Sequence, residues 1–294
     1  MQDQVQERVV TQNASEWLTK NTRLPQDNRR SLVSLMPGLV TEIVTRQPRA
    51  LGIAGAPGSG KTTLARLLVH CLGEAGLPTC YLSLDDFYLG REARQTLADT
   101  EHRLFRTRGV PGTHDLPRLL NTLDRIRSGD MDGIRLPVFD KSADDRLPPS
   151  QWRVLDGTPR LAILEGWCVG APPAPAGTLA DPVNDLERDA DPDGSWRRAM
   201  LGHWIEFYDA LRPRLDRLWF MQVPGWQSVI DWRWQQECEL ARPALQSREE
   251  VRRFLGTFQR IAEHMQSTCR KWADRVLAVD EHHELHPEYE ETTA

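Results

Sequence analysis

A three-layer α/β/α sandwich with a mainly parallel central sheet and a helical lid is the fold class this sequence predicts, on three observations. Short apolar runs of strand length alternate with longer segments of helical periodicity. The first clear run, Ala50-Leu51-Gly52-Ile53-Ala54, stops at a glycine-rich turn that opens directly into a helical pattern. Two later runs each end at an acidic residue, where the carboxyl ends of parallel strands place ligand-facing groups.

Taken in chain order, residues 1–48 mix helical spacing (Leu32, Leu35, Leu39, Ile43) with Pro25 and Pro37, which predicts short helices packed on the core. Residues 49–294 then form one domain. The helix after the turn carries Leu64, Leu67, Leu68, Cys71 and Leu72 and ends at Gly73 or Gly76. Cys80–Leu84 reads as a buried strand ending at Asp85, and Leu161–Leu164 as another ending at Glu165. Between them, Leu116, Leu119, Leu120, Leu123 and Ile126 mark a helix over 115–127. Residues 170–200 open on a stretch rich in Pro, Ala, Asp and Gly and read as a surface excursion. Arg217–Val223 and Arg275–Val279 supply two more strands, flanking a lid and helical region at about 228–272.

Composition excludes several classes of function. A formal net charge of -5 and a sequence pI near 5.9 give no general attraction to nucleic acid or anionic lipid, so an anion needs a local cationic site. The five cysteines are scattered without a Cys-x-x-Cys pair, which fits reduced thiols in a cytoplasmic protein. Met1–Glu7 has no apolar signal core, and no run reaches the length of a membrane span. His282, His283 and His286 lack a fourth ligand at structural spacing and read as a solvated face.

The chemistry concentrates in Gly55-Ala56-Pro57-Gly58-Ser59-Gly60-Lys61-Thr62-Thr63. Glycines at this spacing turn backbone N–H groups inward around phosphates, the lysine reaches the β and γ phosphates, and the Thr62 hydroxyl is placed for Mg2+. The following helix adds its positive end. ATP and Mg2+ are therefore the expected cofactors. Asp85, at a strand end beside this loop, suits a base that accepts the acceptor hydroxyl's proton and orients it in line. Glu165 ends the strand Leu161–Leu164 and suits the Mg2+ and its waters. Trp232-Arg233-Trp234 is a candidate lid whose Arg233, with Arg242 further on, could neutralise charge on the transferring group.

With these residues in hand, the chain resembles the uridine kinase, pantothenate kinase and phosphoribulokinase superfamily of P-loop NTPases. Within it, the chain looks most like the plant- and fungal-type D-glycerate 3-kinases. The resemblance covers nearly everything after residue 30. It rests on the phosphate loop, Leu84-Asp85-Asp86-Phe87-Tyr88, Arg108-Gly109-Val110-Pro111-Gly112-Thr113-His114-Asp115, Pro137 to Ser142 with Asp145-Arg146, and Glu165-Gly166-Trp167-Cys168-Val169-Gly170. Further matches are Asn184 to Glu187, Trp196-Arg197, and Asp231-Trp232-Arg233 with Gln235-Gln236-Glu237. A proline at 243 departs from the family pattern beside Arg242.

The resemblance implies a base at Asp85, a magnesium-associated acid at Glu165, and a lid carrying Arg233. It places acceptor-side residues at Tyr88, Arg108, His114, Asp115, Lys141 and Arg146. The implied activity is ATP-dependent phosphorylation of D-glycerate to 3-phosphoglycerate by a cytoplasmic monomer or homodimer, with no nucleic-acid or membrane partner. Uridine- or pantothenate-kinase-like chemistry is the alternative enzyme reading, and a regulatory P-loop switch the alternative of another class. The switch lacks support in the absence of an Asn/Thr-Lys-x-Asp guanine motif.

Overall fold

The computed structural model describes residues 2–239 and 245–290. Two long helices come first, α1 (Gln2–Asn21) and α2 (Gln26–Arg46), paired with each other and packed on the helix that follows the phosphate loop. The short helices expected here are thus replaced by two of 20 and 21 residues. Pro25 stands at the N-cap of α2, where its missing N–H is not needed, and Pro37 lies inside the helix. An interior proline costs about 3 kcal/mol. Burial of Leu32, Met36, Leu39, Val40 and Ile43 outweighs it, at about 1.5–3 kcal/mol per side chain.

The domain continues through β1 (Ala50–Gly55), α3 (Lys61–Glu74), β2 (Thr79–Ser83), α4 (Arg91–Thr100) and α5 (Leu116–Ser128). Two small antiparallel ribbons follow: β3 (Arg135–Leu136) pairs with β6 (Arg153–Val154), and β4 (Phe139–Asp140) pairs with β5 (Asp145–Arg146). Next come β7 (Leu161–Glu165), α6 (Asp185–Ala190), α7 (Ser195–Leu211), β8 (Arg217–Gln222), α8 (Trp226–Glu239), α9 (Arg248–Thr268), β9 (Arg275–Val279) and β10 (Leu285–Glu290).

The main sheet has six strands in the order β10-β9-β8-β1-β7-β2, all parallel except β10 against β9. All residues of β1 and β7 are buried, the mark of strands covered on both faces. Trp196, Trp204 and Trp219 have no measurable exposure. Truncating any of them to alanine would cost about 3–5 kcal/mol. Among the described residues no helix is long and apolar enough to cross a membrane.

The segment expected as a surface excursion is tied into the core. Its Glu187 and Asp191 are fully buried, and Trp196, Arg197 and Met200 of α7 are buried as well. The Asn184 side chain caps α6 by accepting the Glu187 N–H. The Arg260 guanidinium on α9 forks onto Glu187 at 2.9 and 2.5 Å and also donates to the carbonyls of Thr178 and Asp181. The neutralising arginine lies 73 residues away in sequence, so a Pro- and Asp-rich composition alone points to solvent.

Candidate active site

β1 delivers the phosphate loop and α3 begins at its Lys61. Gly55 has φ +153°, and a side chain there would come within 2.7 Å of the Met221 carbonyl, so only glycine lets β1 turn beside β8. Lys61 is buried at 8% exposure and donates from Nζ to the Ala56 carbonyl at 2.8 Å. Burial lowers its pKa, while the charges of Glu165 and Asp85 oppose that loss.

Glu165 sits where β1, β2 and β7 meet, in register with Ile53 on one side and Ser83 on the other. Its Oε1 accepts three hydroxyls: Thr62 at 3.0 Å, Tyr81 at 2.8 Å and Ser83 at 2.9 Å. The carboxylate is only 5% exposed, and these donors hold it next to the Thr62 hydroxyl. A hydroxyl and a carboxylate, both hard oxygen donors at the tip of a phosphate loop, fit Mg2+. Tyr81 and Ser83 carry no motif signal; their alternation along β2 toward Glu165 is the one sequence feature that could have revealed them.

β2 closes at Ser83, and a 3-10 turn over Leu84–Phe87 carries the Asp85-Asp86 pair. The two aspartates take different jobs. Asp86 accepts the Phe139 N–H at 3.5 Å and so anchors β4, and burial raises its pKa. Asp85 Oδ2 meets Lys141 Nζ at 2.5 Å. Burial pushes Asp85 up, but Lys141, then Lys61, prevail and its pKa is lowered. Asp85 is therefore an ionised carboxylate, paired with Lys141 and stabilised also by the charge of the phosphate-loop lysine.

Beyond Asp85 the Arg108–Asp115 string forms one wall. Gly109 has φ +148°, and a side chain there would lie 2.4 Å from the Phe258 ring, while its carbonyl accepts the Trp167 indole N–H at 2.8 Å. His114 bridges to Tyr88 as an isolated β-pair and stacks on its ring at 4.5 Å, with Phe139 edge-on to Tyr88 at 5.4 Å. His114 is 5% exposed with no hydrogen bond to either ring nitrogen, and burial lowers its pKa to about 3, so its ring is neutral. Burial and the Asp85 charge push the Tyr88 phenol far up.

The arginines expected on the acceptor side are already engaged. Arg146 holds the Tyr88 carbonyl with Nε and Nη2 at 3.0 and 2.7 Å and Asp115 with Nη1 at 2.9 Å. Arg108 pairs with Asp144 and lies over the Phe139 ring at 5.3 Å. Asp144 is shared with Arg94, which is 1% exposed and binds the carbonyls of Leu89, Arg106 and Asp144. Nothing in the sequence distinguishes Arg94 from a surface arginine of an amphipathic helix.

On the opposite side, α8 covers the loop through Trp232, whose Cβ lies 3.5 Å from where a side chain on Gly58 would begin. His283, at the β9–β10 turn, packs on Trp232 at 3.9 Å and hydrogen-bonds to the Gly58 backbone. The three-histidine tail therefore contributes one residue to the loop's cover rather than a wholly solvated face. Arg233 is expected as a lid cation, but its guanidinium is paired with the buried Glu237 and lies over Phe254 at 6.0 Å. Among the described residues it forms no ion pair with the Lys61, Asp85 and Glu165 group. Arg242 lies outside the described residues.

No protein-family model matches the chain. It is 33% identical over 200 residues to the uncharacterized kinase mug58 of Schizosaccharomyces pombe, covering 65% of this chain and 70% of that protein. It is 27% identical over 257 residues to the chloroplastic D-glycerate 3-kinase of Arabidopsis thaliana, covering 82% of this chain. The chain belongs to the glycerate kinase-like branch of the P-loop kinases. It spans 54% of the length of the plant relative. The solved D-glycerate 3-kinase of Cryptococcus neoformans superposes with a TM-score of 0.70 at 23% identity, over 89% of this chain and 98% of that one, which shows the shared fold. This glycerate kinase-like protein is an ATP-dependent phosphotransferase.

Proposed function

We propose that this kinase transfers the γ-phosphoryl group of ATP to the 3-hydroxyl of D-glycerate. The observation that carries the reading is Asp85, kept ionised by Lys141 and Lys61 at the strand end beside the phosphate loop. Asp85 accepts the hydroxyl proton as the oxygen attacks, and Lys61 leaves the Ala56 carbonyl to hold the β and γ phosphates. Thr62 and Glu165 would hold Mg2+, which neutralises charge across those phosphates when bound. The Tyr88 and His114 rings form an apolar wall that limits water around the reacting oxygen. Arg108 and Lys141, with Arg146 and Asp115 behind them, supply the cationic side suited to a small carboxylate. Arg233 serves as the lid cation once it exchanges Glu237 for phosphate.

Lys141 beside the base favours an anionic acceptor over a nucleoside, whose base would want an apolar contact there. The enzyme acts on a free metabolite, as a cytoplasmic monomer or homodimer without nucleic acid. The test is ADP release from MgATP with D-glycerate, pantothenate, uridine or sugars, with the phosphate position read on the product. D-Glycerate should stimulate turnover and yield the 3-phosphate. Asp85→Asn should still bind ATP yet turn over about 10² to 10⁴ times more slowly. If no acceptor raises the basal ATPase, the proposal fails.

A further inference from the structure

A second cleft, of about 480 Å3, opens behind the acceptor wall, between the start of α5 and the β3–β6 ribbon. It falls in the size range of pockets that hold small metabolites. Its charged lining is lopsided: Arg118, Arg125 and Arg135 against a single acid, Asp115. In a chain with a net charge of -5, three guanidinium groups around one concavity are a local reversal of sign. Trp152 forms part of the wall; its N–H is bound to the Leu147 carbonyl at 2.8 Å, and Arg118 lies over the ring at 4.7 Å. Arg125 is held by Asp130 at 3.0 Å, whereas the exposed Arg135 side chain has no ion-pair partner among the described residues.

The cleft is one carboxylate away from the acceptor wall. Asp115 Oδ2 receives both Arg118 Nε at 3.1 Å and Arg146 Nη1 at 2.9 Å. Arg146 in turn grips the carbonyl of Tyr88, the residue stacked on His114. An anion that draws Arg118 away from Asp115 changes the balance on Arg146 and hence on the Tyr88 backbone.

We propose that this cleft is a second ligand site that binds a small organic phosphate and adjusts acceptor binding through Asp115 and Arg146. Guanidinium groups match phosphate oxygens in forked pairs, and Asn121 on the lining offers an amide to the organic part. The effect on acceptor binding rests on the proposed acceptor side, whereas binding at the cleft itself does not.

The test uses the whole protein with its phosphate loop filled by Mg2+ and a non-hydrolysable ATP analogue, titrated calorimetrically with sn-glycerol 3-phosphate and with inorganic phosphate. Saturable binding of glycerol 3-phosphate is expected. Arg135→Ala, which breaks no internal pair, should weaken it about tenfold, and Arg125→Ala should do the same. Glycerol 3-phosphate should shift the KM for the acceptor in the wild type, leave the KM for ATP unchanged, and have no effect on the Arg135→Ala enzyme. Binding that survives both substitutions belongs to the acceptor site and overturns the proposal, as does the absence of saturable binding. Inorganic phosphate binding as tightly as the organic phosphate overturns the ligand class.

Discussion

The sharpest test of the phosphate site lies at Tyr81, a residue that should touch neither nucleotide nor acceptor. Glu165 Oε1 takes hydroxyl donors from Thr62, Tyr81 and Ser83, all between 2.8 and 3.0 Å. Tyr81→Phe removes one of the three and keeps the ring, including its contact with Arg66 at 5.1 Å. A hydrogen bond to a charged acceptor is worth about 1.5–3 kcal/mol, part of which a solvent molecule recovers at this half-buried position. Loss of an outer partner typically weakens a metal site about 10- to 100-fold. The expected result is therefore a rise of about tenfold in the free Mg2+ needed for half-maximal rate, close to 1.4 kcal/mol. In the Tyr81→Phe/Ser83→Ala double variant the rise should approach 100-fold. The assay is initial rate against free Mg2+ at saturating ATP and acceptor. An unchanged Mg2+ dependence in the double variant would refute Glu165 as the metal-side acid.

Other consequences follow from the same contacts. Replacing Lys141 with Met removes the charge that most strongly lowers Asp85, so burial carries more weight and the folded-state pKa rises. Asp85 below its ordinary value contributes stability above the unfolded-state pKa that is lost as pH falls through the folded one; the variant loses part of that contribution. Its acid limb of kcat/KM should move to higher pH, and a pH–rate profile superimposable on the wild type would show that Lys141 does not govern the base. Gly109→Ala forces a side chain onto the Phe258 ring at a positive φ and should cost about 1–3 kcal/mol in urea unfolding while raising acceptor KM. Phe258→Leu, which withdraws the ring, should recover part of that loss; no recovery would place the cost elsewhere. Arg260→Met strands the fully buried Glu187, leaving it the Val183 N–H at 2.9 Å and Arg197 at 3.7 Å. Chemical denaturation should show a loss of about 3–5 kcal/mol, largely reversed when Glu187→Leu is added; a loss under 1 kcal/mol would mean that the pair is not a structural tie.

What could be read from sequence divides along one physical line. The phosphate loop, the two strand-end acids and the β1, β7, β8 and β9 runs were legible because each is a local pattern, a loop or an apolar run that depends on its own few residues. The division of labour within Asp85-Asp86 was not, because it depends on which carboxylate meets Lys141 and which meets the Phe139 N–H, more than 50 residues downstream. The burial of Glu187 was hidden for the same reason: its charge is compensated by Arg260 and Arg197, and without them the segment reads as solvent-facing. The arginines mark the deeper limit. Sequence supplied Arg108, Arg146 and Arg233 as cations, and a cation near phosphate or carboxylate is ordinarily imagined free. In the folded chain they are paired with Asp144, Asp115 and Glu237 respectively. On the proposed reading, an acceptor or phosphate competes with a carboxylate already in place, so binding the anion and rearranging the wall are a single event. On that reading Asp115, which accepts from both Arg118 and Arg146, rather than any one arginine, is the residue at which the proposed acceptor side and the proposed second site meet.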